Sequence, residues 1–252
     1  MVLHLKSWLQ EPVAAIGMSA PGLPDEQNQC IAFLPNRLNG LENFVWSNYL
    51  GETSYILNDA HSALMAEATF GVAKGHKNVV LLTLGTGIGG GLLINGQLYQ
   101  GLSQMAGHLG HLSLNATDDE VSIVGMPGSL EYAIGNYSVA KRSKGRFEST
   151  WQLVEAYRKG DAWASLVWLS SLQKLAVALS SLVNAFSPEL IVLAGGITFA
   201  DDALFEPLKQ FMDFYEWRPG GKETPIVQAE FGDMAGAIGA AGFAMSKIKN
   251  TL

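Results

Sequence analysis

The sequence contains a single cysteine, Cys30, so no disulfide can form within the chain. This cysteine and the five histidines also form no cluster with the spacing of a zinc site. Basic residues are few: 16 lysines and arginines stand against 23 aspartates and glutamates, which gives a net charge of −7. With this acidic balance and no basic cluster, nucleic acid is not an expected partner.

Long uninterrupted apolar runs are also missing. Apolar residues make up 48% of the chain, but each run is interrupted well before the roughly 18 residues that a spanning helix needs. Residues 1–10 carry one lysine and a polar break at Lys6-Ser7, unlike a secretory signal. We therefore expect a soluble cytoplasmic protein with no membrane partner. The 252 residues suffice for a large core in one or two domains.

Glycine, by contrast, is concentrated in residues 79–101, where two apolar runs flank a glycine-rich loop. Dense glycine removes Cβ atoms and permits positive φ, so main-chain N–H groups can approach an anion closely, and Thr86 adds a hydroxyl. The spacing also fits the dinucleotide motif G-x-G-x-x-G, but that motif must open a helix. Residues 92–99 instead have strand composition and contain the hairpin signal Asn95-Gly96. The segment predicts a β-hairpin that clasps phosphate, and a glycine-rich hairpin without a ligand is the alternative.

Strands and helices are predicted along the rest of the chain from apolar periodicity and from glycine and proline breaks. Strands are expected over residues 12–19, 54–57 and 190–194, and helices over residues 60–75 and 161–186. Gly75 is expected just after the first helix, with Lys74 in its last turn. The small residues of 236–242 suit a helix packed closely on a sheet or against a nucleotide base.

Five of these segments together resemble the ROK family (repressors, open reading frames, kinases). They occur in the family's order and spacing and read LNDAHSALMAEATFGVAKG, LTLGTGIGGG, GHLGH, PGSLE and PELIVLAGG. The resemblance extends from Ile16 to about Gly242. It implies an α/β, actin-like ATPase (ribonuclease H-like) fold with two lobes around a cleft. The small lobe would comprise residues 1–57 and about 232–252, and the large lobe residues 58–231.

The resemblance also implies an ATP-dependent sugar kinase, acting on a hexose or hexose derivative, cytoplasmic and homodimeric. Its general base would be Asp59, because phosphoryl transfer needs a carboxylate to orient the attacking hydroxyl and accept its proton. Sugar contacts would come from Asn36, Asn58, His108, His111 and Glu131. The ATP phosphates, bridged by Mg²⁺, would lie against Gly85, Thr86, Gly87, Gly89 and Gly90, and the adenosine against Gly195 and Gly196.

Each of these residue types also has an ordinary structural interpretation. Asn58-Asp59 suits a helix N-cap, and both roles can hold together. Asn36 suits a turn after Pro35, Glu131 a solvated carboxylate at a helix start, and His111 a structural hydrogen-bonding residue.

Two departures from the family pattern bear on chemistry. His108 stands in GHLGH where the family motif G-E-x-G-H has a sugar-binding carboxylate, and a neutral imidazole cannot accept two hydroxyl protons as a carboxylate does. We therefore expect a sugar preference different from that for glucose. The family's zinc motif C-x-C-G-x-x-G-C-L-E keeps its glycines, leucine and glutamate, but its thiolates are replaced by Ser122, Val124 and Ser129. No structural zinc is expected.

The third departure concerns the beginning of the sequence. Family members open with a strand hairpin carrying D-x-G-G-T, which supplies a second phosphate loop and an Asp near Mg²⁺. No such motif precedes Ile16. We expect a small lobe that is incomplete at its N-terminus, through truncation or as a natural remnant. For these residues alone we then expect weak ATP affinity, negligible kinase activity, and poor solubility or self-association. The alternative function is a non-catalytic sugar-binding or regulatory ROK protein.

Overall fold

The computed structural model describes residues 8, 12–34 and 39–249. The strands in this part are β1 (Ile16–Ala20), β2 (Leu23–Pro24), β3 (Ile31–Phe33), β4 (Ser54–Asn58), β5 (Val79–Leu84), β6 (Ile88–Ile94), β7 (Gln97–Leu98), β8 (Leu190–Ala194) and β9 (Ile226–Gln228). The helices are α1 (Trp46–Leu50), α2 (Asp59–Phe70), α3 (Leu130–Ile134), α4 (Val139–Arg142), α5 (Thr150–Arg158), α6 (Ala162–Phe186), α7 (Asp202–Tyr215) and α8 (Ala235–Lys249).

A five-stranded sheet with the order β7-β6-β5-β8-β9 forms the centre of the larger part of the molecule. Strands β5, β8 and β9 run parallel, whereas β6 and β7 are antiparallel to their neighbours. The central strands β5 and β8 are almost continuously apolar because helices cover both faces of the sheet. The strand predicted over residues 190–194 is confirmed at the same bounds.

The two faces of the sheet carry separate cores. Side chains alternate along β5, so Val80 and Leu82 join the core with α6 and α7, and Leu81 joins the core with α2 and α8. Trp168 of α6 is fully buried in the first core, where its indole N–H donates to the main-chain oxygen of Ala203. These cores fix the end of β5, from which the glycine hairpin projects.

A smaller, two-stranded sheet pairs β1 with β4 in parallel, from Ile16 opposite Ser54 to Ala20 opposite Asn58. Helix α8 packs on this sheet at Gly17, where a β-carbon would overlap the main-chain oxygen of Ala240. The same helix packs on α2 at Gly239. The small residues of 236–242 therefore allow close packing on a sheet and a helix, the first of the two interpretations given above.

Helix α2 ends at Phe70, so the prediction that it continues to Gly75 is wrong. The buried carboxylate of Glu67 accepts hydrogen bonds from the N–H groups of Val72, Glu230 and Phe231. These bonds turn the chain away from the helix and attach it to a distant segment. Gly75 does have a left-handed backbone, with φ 89°, but it ends a separate turn.

Helix α6 is long and apolar enough to cross a membrane by length and composition, so the argument from interrupted apolar runs does not hold for it. Its N-cap is Asp161, whose carboxylate accepts from the N–H of Ala164 at 2.7 Å, and it ends at Phe186 as predicted. More than half of its most apolar window is buried inside the protein. A helix that is buried to this extent is typical of a protein core.

Candidate functional site

The dipeptide Asn58-Asp59 lies at the junction of β4 and α2. Asn58 is the N-cap: its Oδ1 accepts from the N–H of Ala60 at 3.0 Å, and its Nδ2 donates to the main-chain oxygen of Gly22 at 3.1 Å. Asp59 Oδ1 also accepts from Ala60 N–H, at 2.9 Å, yet the side chain remains exposed. The capping role is thus filled mainly by Asn58, which leaves the Asp59 carboxylate able to contact a ligand.

The glycine-rich segment forms the predicted hairpin between β5 and β6, followed by a turn at Asn95-Gly96. The positive φ that glycine permits is not used between residues 85 and 91, because none of the five glycines there has φ in the left-handed region. Their smallness serves close packing instead. A β-carbon at Gly89 would lie 2.8 Å from the Ala60 side chain, and one at Gly90 would lie 2.7 Å from the Gly107 oxygen.

The turn of this hairpin, residues 85–87, is held from one side only. The main-chain oxygens of Gly85 and Thr86 accept from the N–H groups of Asn136 and Tyr137. In the described part of the chain, the N–H groups of Thr86 and Gly87 donate to no protein acceptor. Free N–H groups at a turn are the donors that bind an anionic oxygen.

A cavity of about 410 Å³ opens beside this turn. Its lining brings together predicted and unpredicted residues: Gly85, Thr86 and Gly196 with Trp151, Arg158 and Phe199. Trp151 and Phe199 are 73% and 70% exposed, so their faces are available to a flat ligand. No motif in the sequence pointed to either of these two aromatic residues.

The other predicted nucleotide-site glycines do not line this cavity. Gly195 has φ 90°, and a β-carbon on it would lie 2.5 Å from the main-chain oxygen of Leu84. Gly87 packs against the Glu131 carboxylate, and Gly89 and Gly90 pack as described above. Their roles in holding a nucleotide remain predictions.

The segment that carries His108 and His111 packs on strand β6. A β-carbon at Gly110 would overlap the main-chain oxygen of Ile88, so the two segments touch through backbone. The rings of His108 and His111 are nearly parallel, with centroids 6.2 Å apart. The structure therefore brings both predicted histidines to the glycine hairpin, and it adds a third, His61.

His61 is fully buried in α2, with its ring centroid 5.7 Å from that of His108. Its Nε2 lies 3.0 Å from the main-chain oxygen of Ala106, so Nε2 carries the proton and fixes the loop before His108. Burial, reinforced by His108, lowers the pKa of His61 to about 4, and it is neutral at pH 7. The only sequence signal was a histidine two residues after Asp59.

His108 lies between these two rings and close to Asp59. Burial lowers its pKa, and nearby His111 lowers it further, while the negative charge of Asp59 opposes the shift. The main-chain oxygen of Gln104 also acts on the ring and opposes this lowering of the pKa, and the ring Nε2 has no partner among the described residues. A neutral imidazole whose Nε2 is unprotonated offers that atom as one acceptor.

Glu131 is the second residue of helix α3 and is buried, so the interpretation as a solvated carboxylate is wrong. Oε1 accepts from the N–H of Ile88 at 3.2 Å, and Oε2 from the N–H of Ile123 at 3.0 Å. Glu131 thus ties the hairpin to the loop before α3. Asn36, the remaining predicted sugar contact, lies outside the described residues.

The serines at the zinc-motif positions are hydrogen-bonded within their own loop. Ser122 Oγ accepts from the N–H groups of Val124 and Met126, and Ser129 Oγ caps α3 through Tyr132 N–H. No group of three metal-ligating side chains occurs among the described residues. Serine hydroxyls bonded in this way are poor zinc ligands.

Purified protein should therefore carry no stoichiometric zinc, and a chelator should leave its melting temperature unchanged, because hydrogen bonds hold this loop. Elemental analysis combined with thermal melts measures both. One zinc per chain, or a lower melting temperature in chelator, would contradict this expectation.

A model of the ROK family matches residues 1–247. The chain belongs to the ROK family. Among its relatives, the glucokinase of Halalkalibacterium halodurans is 30% identical over 99% of the chain and 80% of that enzyme. The glucokinase of Thermotoga maritima is 28% identical over 94% of the chain and 81% of that enzyme.

Solved structures show the same fold. A ROK hexokinase from Thermus thermophilus superposes with a TM-score of 0.84, at 30% identity over 94% of the chain and 80% of that protein. A ROK glucokinase from Streptomyces griseus, in complex with glucose and AMPPNP, gives 0.74 at 25% identity over 94% and 83%. The expected actin-like ATPase fold is confirmed.

Proposed function

We propose that this ROK protein is a sugar kinase that transfers the γ-phosphate of ATP to a hydroxyl of a hexose or hexose derivative. The observation that carries the proposal is the position of the glycine hairpin, which has a different neighbour on each of its two sides. On one side it lines the 410 Å³ cavity, and on the other it packs against the loop of His108, which lies near Asp59. A phosphate at the hairpin turn would lie between the two.

The nucleotide fits the cavity by size and by chemistry. Trp151 and Phe199 offer aromatic faces to adenine, and the N–H groups of Thr86 and Gly87 are free to bind phosphate oxygens. When bound, Mg²⁺ neutralises charge between the phosphates. It would be held mainly by phosphate oxygens and water with one or two carboxylates, so a set of ligands supplied by the protein alone would not be required.

Asp59 is proposed as the general base. It would accept the proton of the sugar hydroxyl as that oxygen bonds to the γ-phosphorus and the bond to the bridging oxygen of ADP breaks. Asn58 holds the start of α2 in place and, through Gly22, ties it to the turn before β2. Glu131 ties the sugar side to the phosphate hairpin through Ile88. These contacts orient the acceptor, and the charge stabilisation comes from the hairpin.

The sugar preference is proposed to depend on His108. Its neutral ring offers one acceptor, Nε2, where a carboxylate would accept two hydroxyl protons. We expect His108→Glu to shift relative kcat/KM toward glucose or N-acetylhexosamines by about tenfold or more, since one hydrogen bond to a charged group contributes roughly 1.5–3 kcal/mol. Steady-state kinetics on a hexose panel, with wild type and variant side by side, measures the shift.

A matched control is His76→Glu, which makes the same change just before the N-terminal end of β5, whereas the glycine hairpin follows the C-terminal end of that strand. It should leave the ranking of sugars unchanged. If unmodified glucose is already the best substrate of the wild type and His108→Glu changes nothing, the role given to His108 is wrong.

A non-catalytic sugar binder remains the second candidate. The xylose repressor of Bacillus subtilis is 26% identical over 89% of the chain and 59% of that protein, so repressors are among the relatives. The His108 substitution also fits a site selected for binding. Such a protein would bind the sugar without consuming ATP, which turnover measurements distinguish directly.

A further inference from the structure

Two consecutive residues before His108, Ser103 and Gln104, have left-handed backbones, with φ 54° and 61°. For residues with a β-carbon this conformation is unfavourable, and glycine adopts it without penalty. Strain of this kind clusters at ligand sites, where the side chain itself is needed. The surroundings of Ser103 and Gln104 indicate which of the two side chains is needed.

Their surroundings differ sharply. Ser103 is exposed to solvent, whereas Gln104 is only 5% exposed. The Oε1 atom of Gln104 is buried without a hydrogen-bond partner among the described residues. A buried amide oxygen without a hydrogen bond destabilises the fold. Because Gln104 combines this missing hydrogen bond with an unfavourable φ, we infer that a ligand supplies the missing partner.

The location of Gln104 indicates which partner. Gln104 lies four residues before His108 in the same loop, its main-chain oxygen acts on the His108 ring, and the Nε2 atom of that ring has no partner among the described residues. Residues 102–104 also pack against β2, the strand that follows Gly22, and Gly22 accepts from Asn58. Gln104 therefore lies where the His108 loop packs against the segment that is attached to the start of α2.

We propose that Gln104 is a specificity-determining residue whose side-chain amide contacts a hydroxyl of the bound hexose. This hydroxyl lies beside the one that donates a hydrogen bond to His108 Nε2. This inference rests on the proposed function. The two groups are neutral acceptors, so together they select a sugar with two free neighbouring hydroxyls. A hexose that lacks one of these hydroxyls leaves an acceptor unpaired and binds more weakly.

The test is sugar affinity measured by calorimetry, with hexoses and their monodeoxy analogues as probes. We expect Gln104→Gly to bind the preferred hexose at least tenfold more weakly, with a melting temperature at or above that of wild type because the backbone strain is relieved. Gln104→Leu, which keeps the volume and removes the amide, should lose the same affinity. The matched control Ser103→Gly relieves the neighbouring strain and should leave the affinity unchanged.

One monodeoxy hexose should bind wild type and Gln104→Gly equally, and it identifies the contacted hydroxyl. The proposal is overturned if Gln104→Gly keeps the sugar profile within twofold, or if it loses melting temperature and all ligands together. In both cases wild type still binds a hexose, so the proposed function stands. If wild type binds no hexose of the panel, the proposed function and this inference fail together.

Discussion

Replacing Asp59 by asparagine is expected to lower kcat by about 10² or more in a catalytically competent form of the protein, the usual size of a general-base loss. The amide keeps the shape of the side chain and can still hydrogen-bond the sugar hydroxyl, but it cannot take its proton. Sugar affinity should therefore change much less than kcat. Steady-state kinetics and calorimetry on the same preparation separate the two quantities.

Asp202→Asn provides the matched control. Asp202 is the exposed first residue of α7, so this change removes the same charge from the same position of another helix. Both variants lose a favourable interaction with a helix N-terminus, which is small, about 0.3–1 kcal/mol. Near wild-type turnover in Asp59→Asn would refute the assignment of the base.

The second large effect is expected on stability. Gly239→Ala places a β-carbon of α8 onto the main-chain oxygen of Ser62 in α2. Backbone cannot move aside as a flexible side chain does, so the two helices must separate. We expect a loss of about 3 kcal/mol, the upper end for overpacking, and a melting temperature lower by on the order of 10 °C. Thermal and denaturant unfolding measure it.

Gly236→Ala is the control in the same helix. Its new β-carbon would meet only the side chain of Ser19, at 3.2 Å from Oγ, and that hydroxyl can rotate. Because alanine also favours helix over glycine, this variant should be neutral or slightly more stable. Equal destabilisation by both substitutions would show that close packing of α8 on α2 is not the cause.

The sequence was sufficient to predict those elements that depend only on residues close together in the chain. The hairpin of β5 and β6, the strand Leu190–Ala194 and the helix cap at Asn58 all follow from patterns within a few residues. The gathering of His108, His111 and Glu131 around the hairpin agrees with the family resemblance, although their roles remain predictions.

The errors came from contacts between distant segments. Helix α2 ends early because Glu67 binds the N–H groups of Glu230 and Phe231, which no local pattern near Phe70 reveals. The close packing of the hairpin glycines depends on residues from other segments, such as Ala60 beside Gly89 and Gly107 beside Gly90. Gln104 carried no sequence signal at all, since its significance lies in a φ value and in the burial of one oxygen.

The most direct test of the central claim is the fate of the γ-phosphate. A catalytically competent form of the protein, carrying the D-x-G-G-T hairpin, is incubated with ATP labelled at that group and with a panel of neutral hexoses, and the products are separated and identified by mass spectrometry. We predict one labelled hexose phosphate for each ADP formed, with one hexose clearly preferred. Sugar binding without any labelled sugar, at saturating ATP and hexose, would contradict the kinase and leave a sugar-binding regulator.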